Sequence, residues 1–255
     1  MNIFRRFLPY LLPILLVIGF LLLLNNRDQV ITLSSVLSAC MVFGIILFGW
    51  FHDIPLVKKI VYTAIPLLFV LSGITFFLFL EHPVTQYVTL FVIPIMLWFC
   101  LEYTFLFVGR GDVSHKSAQK NVSMYLLLCT VFFGTVSLFD LRFFYSLSLA
   151  WLTIIGGFFI AFVFWLLFEN RSSDFRWKAV TVFSAGLISA ELCIALAYWP
   201  HTPLVKAIVT TAFIYGMMQV CVDATASLLT PKRLFRISLI ICVALLATLI
   251  TAQWI

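Results

Sequence analysis

Charged residues in this sequence gather in short clusters, and between the clusters lie apolar runs long enough to cross a bilayer. A hydrocarbon core of about 30 Å takes about 20 helical residues, and inside it each backbone N–H and C=O must be bonded within its own segment. Barrel strands would instead alternate polar and apolar residues over about 10 positions, and no such alternation appears. The expected fold class is therefore all-α, a polytopic transmembrane helix bundle, with residues 1–255 as a single integral membrane domain. Composition decides the same way. Charged residues make up 10% of the chain, against about 25% in soluble domains, and the mean hydropathy is +1.15.

Nine spans are expected, near residues 8–24, 31–51, 59–80, 86–108, 122–139, 143–168, 178–199, 204–229 and 235–254. Two of the breaks are forced by length. From Val122 to Phe168 the chain runs 47 residues, about 70 Å at helical rise and twice what a bilayer accepts. Asp140-Leu141-Arg142 is the only charged point at which it can turn. In the second long stretch the two prolines of Trp199-Pro200-His201-Thr202-Pro203 make the break. The segment from Gly109 to Asn121 reads as a basic loop. The first apolar run is too long for a cleaved secretory leader and lacks a small-residue cleavage site, so it is expected to stay as an uncleaved helix.

Lysine and arginine in short loops stay on the cytoplasmic side. With the N-terminus inside, thirteen cations fall on the inner segments and only Arg27, Arg142 and Lys206 on the outer ones. This predicts a multi-pass protein of the bacterial plasma membrane, with a cytoplasmic N-terminus and the C-terminus outside. It also accounts for the net charge of +6 through contact with anionic inner-leaflet lipid. The expected partners are membrane lipids, with protein partners or further copies of the chain also open. Nucleic acid is not expected, because no basic surface has room to dock it. Trp50, Trp177, Trp199 and Trp254 stand at span ends as interface anchors.

An offset of 117 residues lines up Leu71-Ser72-Gly73 with Ile188-Ser189-Ala190, Trp98 with Tyr215 and Glu102 with Gln219. Carried outward, it suggests a parallel duplication of four helices, with halves 31–139 and 143–254 and an extra first helix. Matches between apolar residues are cheap, so the alternative of coincidence stays open.

A charge within a span is costly and marks function by default. Three acids qualify. Glu191, flanked by the small residues Ser189 and Ala190, is expected near mid-depth and facing other helices. Glu102 and Asp223 share a depth near the cytoplasmic end, and Gln219 stacks one turn before Asp223. Glu191, Glu102, Gln219 and Asp223 are thus the candidate residues of a substrate path. The alternative is that each acid is helix-to-helix glue, or for Glu102 and Asp223 a cytoplasmic salt bridge. The histidines His52, His82, His115 and His201 all sit in connections. His82 and His201, at near-equivalent repeat positions, are weak metal candidates beside Glu81, and a loop histidine is the plainer account. No cofactor is implied: haem would want histidines facing each other within spans, and the six cysteines, all within spans, show no C-x-x-C pair. Pro66 and Pro94 lie inside spans three and four, where a kink could open a cavity.

Three classes of function follow. One is a small transporter, permease or flippase-like protein using the buried carboxylates. The second is a noncatalytic membrane subunit or assembly factor of a larger complex. The third, an enzyme on lipid-linked substrates, has no residues to stand on, since no nucleophile, metal or phosphate motif is legible and no catalytic residue is assigned.

Overall fold

The computed structural model describes residues 3–50, 55–110, 113–171, 175–225 and 228–251. His52, Asp112 and Trp254 therefore lie outside the described residues. Nine α-helices and one short 3-10 turn, at Arg27–Gln29, occur among those described, with no strand. They are α1 (Ile3–Asn25), α2 (Val30–Trp50), α3 (Leu56–Leu78), α4 (Pro83–Arg110), α5 (Val113–Tyr145), α6 (Leu149–Arg171), α7 (Phe175–Ala197), α8 (Pro203–Thr225) and α9 (Pro231–Thr251). Eight are long and apolar enough to cross a membrane; α9, which opens on Lys232, Arg233 and Arg236, is not among the eight. The chain is thus a multi-pass helical membrane protein.

Helix starts obey local chemistry more than hydropathy. Pro83, Pro203 and Pro231 are the first residues of α4, α8 and α9, where proline's fixed φ suits the helix and its missing N–H would have been unpaired in any case. α3 and α4 run unbroken through Pro66 and Pro94, and Pro66 is buried in the packing.

Two expectations about α5 need correction. The turn does not fall at Asp140-Leu141-Arg142, which stays helical. Arg142 instead occupies the last turn, where a cation complements the negative end of the helix dipole. The chain reverses at Ser146-Leu147-Ser148. Ser146 adopts φ 50°, in the left-handed region that stops a helix, and the Ser148 hydroxyl accepts the Trp151 N–H as N-cap of α6. The expected basic loop is shorter as well, because α4 continues to Arg110 and α5 begins at Val113.

The helices form two compact units, Met1–Thr130 and Val131–Ile255, divided inside α5. In the first, α1 packs on α2 and α4, and α3 packs on α2 and α4. Leu16 and Phe20 of α1 are fully buried, and Phe20 stacks on Phe77 of α3 with ring centroids 4.3 Å apart. The helix left over by the proposed repeat is therefore core to this unit.

In the second unit α6 packs on α7, α7 on α8 and α8 on α9. The α6–α7 pair is the closest. Gly157 and Ala161 on α6 face Gly186 and Ala190 on α7, a small-xxx-small pattern on both helices. A Cβ on Gly157 would meet the Gly186 carbonyl oxygen at 3.1 Å, so the backbones themselves are in contact and neither can yield to a side chain. An ion pair between Lys178 and Glu169 closes one end of this pair, with the lysine 5.7 Å from the Trp165 ring centroid.

Candidate functional site

The small residues that join α6 to α7 also decide where Glu191 goes. Ala185, Gly186, Ser189, Cys193 and Leu196 form the buried face of α7. At about 100° per residue, Glu191 is about 200° from both Ser189 and Cys193 and so emerges on the opposite side. It is exposed, which corrects the expectation that its small neighbours turn it towards other helices. Around it run Trp177, Val180, Phe183, Leu187 and Ile194, all exposed. Glu191 lies six residues before the end of α7, about 9 Å at helical rise, and so within the apolar segment but off its centre. It makes no hydrogen bond or ion pair with any described residue.

Asp223 has the opposite surroundings. Two residues from the end of α8, its side chain is 7% exposed and bonded from two sides. Arg233, in the first turn of α9, reaches one carboxylate oxygen at 3.2 Å, and Gln219 donates its side-chain amide to the same oxygen at 3.4 Å. The Arg233 side chain is 45% exposed, so the cation keeps access to water while the anion is enclosed. Gln219 and Asp223 do share one helical face. Glu102, half-buried on α4, belongs to the first unit and bonds to no described residue.

Sequence reasoning overlooked Arg233 as the partner of Asp223, although a cation one short connection after an acid near a helix end is a usable signal. It also overlooked the paired Gly-xxx-Ala steps, which are legible at Gly157–Ala161 and Gly186–Ala190.

His82 is exposed in the first unit, and His201, in the second, stands edge-on to Trp199 with ring centroids 4.4 Å apart. Among the described residues no three His, Cys, Asp or Glu side chains come together as metal ligands would. The six cysteines are unpaired. A cleft of about 300 Å³ opens at one end of the first unit, lined by Leu23, Leu24, Val30, Phe77, Leu78, Leu80, Glu81 and Gln86. Glu102, some twenty residues further along α4 than its start at Pro83, or about 30 Å, does not reach it.

A family model described as "Protein of unknown function (DUF5656)" matches residues 51–251, and the chain belongs to that family. The matched segment takes in α3 to α9. No curated protein and no solved structure matches the chain.

Proposed function

We propose that this member of the DUF5656 family is a noncatalytic subunit of a larger membrane assembly, and that it docks another transmembrane helix on the exposed face of α7. The observation that supports this is Glu191, an unpaired carboxyl set in an exposed apolar stripe. A charge in hydrocarbon costs up to about 3 kcal/mol on insertion scales. A face meant only for lipid gains nothing from it. A cation on a neighbouring helix at the same depth neutralises it, so the occupant is a transmembrane helix carrying a lysine or arginine about 9 Å inside the same end. A permease or flippase needs its carboxylates on a shared wall. Glu191 on the outer face and Asp223 engaged by Arg233 favour the subunit over that reading. The proposed location is the bacterial plasma membrane with the N-terminus in the cytoplasm, on the strength of the thirteen-to-three division of cations.

The test is photocrosslinking in native membranes from a photoreactive residue at Leu187 or Ile194, which flank Glu191. The expected adduct is a single partner whose crosslinked peptide is a transmembrane segment with a basic residue, and it disappears in Glu191→Leu. Adducts to lipid alone, or an adduct of two copies of this chain, overturn the proposal.

A further inference from the structure

Two lines of residues on the outward side of α7 repeat every seven positions. Val180, Leu187 and Ile194 form one, and Trp177, Ser184 and Glu191 form the other. All are exposed except Ser184, which is half-buried. Taken together the steps alternate three and four along the helix, the spacing of core positions in a coiled coil. A straight helix lets such a set drift by only about 20° per heptad, so all six stay on one side of α7. They cover about 26 Å of its length, most of the depth of a hydrocarbon core.

The two lines differ in chemistry. The first is aliphatic throughout, whereas each member of the second carries a polar group: an indole N–H, a hydroxyl and a carboxyl. None of the three groups bonds to a described residue. Neighbouring polar side chains are already engaged, since the Thr181 hydroxyl donates to the Trp177 carbonyl at 2.7 Å and Lys178 pairs with Glu169. A helical serine commonly bonds back in the same way as Thr181, and Ser184 does not. The other exposed residues beside the lines, Ala179, Phe183, Ile188 and Ala195, are apolar. The unspent polar groups of the outward side therefore fall on one line of the heptad. Trp177 stands at the headgroup level, which leaves Ser184 and Glu191, about 10 Å apart, inside the apolar segment. Hydrocarbon satisfies neither, whereas a helix lying along both lines reaches each of them.

This rests on the docking of a transmembrane helix on α7. We infer that the docked helix packs along the whole seam as a left-handed coiled coil, and that its basic residue occupies a core position of its own heptad repeat opposite Glu191. One heptad away on that helix, a hydrogen-bonding side chain faces the Ser184 hydroxyl. The aliphatic line supplies contact area, and Glu191 fixes the register, as a single polar core residue does in a coiled coil. The crossing angle is then near +20°. A right-handed crossing would use a four-residue spacing, Phe183, Leu187, Glu191 and Ala195, and it needs small residues where Phe183 and Leu187 stand.

The experiment maps the seam in native membranes. A photoreactive residue is placed singly in the full chain at 180, 184, 187 and 194 on the seam, and at 179, 183, 188 and 195 beside it, with Glu191 kept. All eight positions are exposed or half-buried on the outward side, so the fold tolerates each substitution. Adduct with the basic transmembrane partner is expected at the seam positions at about three times the yield of the flanking ones or more, and the crosslinked segment is expected to carry its basic residue within a seven-residue apolar repeat. Equal yields in both sets, or yields confined to 183, 187 and 195, overturn the seam while leaving a helix docked on α7. Absence of a protein adduct at all eight positions removes the docked helix itself, and the seam with it.

Discussion

Two carboxylates on adjacent helices of one unit meet opposite fates. Asp223 of α8 is enclosed, held by Gln219 and neutralised by Arg233, so its charge is spent inside the fold. Glu191 of α7 is turned outward among Trp177, Phe183 and Leu187, with no described partner. The difference teaches that an acid within an apolar run has two physical outcomes. It is matched by the chain's own cation, and then it is structural, or it is left to be matched by something else, and then it marks a surface.

The contact that orients α7 should show the largest effect. Gly186→Leu drives a side chain into Ala161 and the Gly157 carbonyl, where backbone meets backbone, and should cost about 3 kcal/mol or more. Thermal unfolding in detergent checks this, and a near-wild-type midpoint would mean that α6 does not fix the rotation of α7. Next comes Arg233→Ala, which strands a buried carboxylate. Because the Arg233 side chain is nearly half exposed, the expected loss is about 1 to 2 kcal/mol, below that of a fully buried pair. Asp223→Asn in the same background should recover part of it, and a double-mutant cycle showing no coupling would break the comparison at its inner side. Lys178→Met removes one side of a largely covered ion pair, 12% and 23% exposed, and its contact with Trp165, for an expected cost of about 1 kcal/mol. Smallest of all should be Glu191→Leu, within about 0.5 kcal/mol of the wild-type chain in detergent, as for a surface site. A large loss there would place Glu191 among the structural residues alongside Asp223.

Much of the fold could be read from the residues, because hydrocarbon leaves the backbone few options and span length is a hard constraint. The nine helices followed from the apolar runs. The failures were local. At Asp140-Leu141-Arg142 the charges suggest a turn, but a cation in a last helical turn is favourable, and the reversal comes from Ser146 and the capping Ser148. At Glu191 the small neighbours suggest a shared inward face, but residues one and two positions away lie about 100° and 200° around the helix. The pairing of Gln219 with Asp223 was legible because a spacing of four is a true helical neighbour. Arg233 was not, since its contact crosses from one helix to the next and depends on how α8 and α9 pack.

The central claim is that Glu191 faces out of the fold. A spin label carried on a genetically encoded residue at 187, 191 and 194, in the purified chain reconstituted into lipid vesicles, tests it without disturbing the native cysteines. Collision with lipid-dissolved oxygen should be equally frequent at all three positions. A low collision rate at 191 with high rates at 187 and 194 would put the carboxylate inside the bundle and contradict the account.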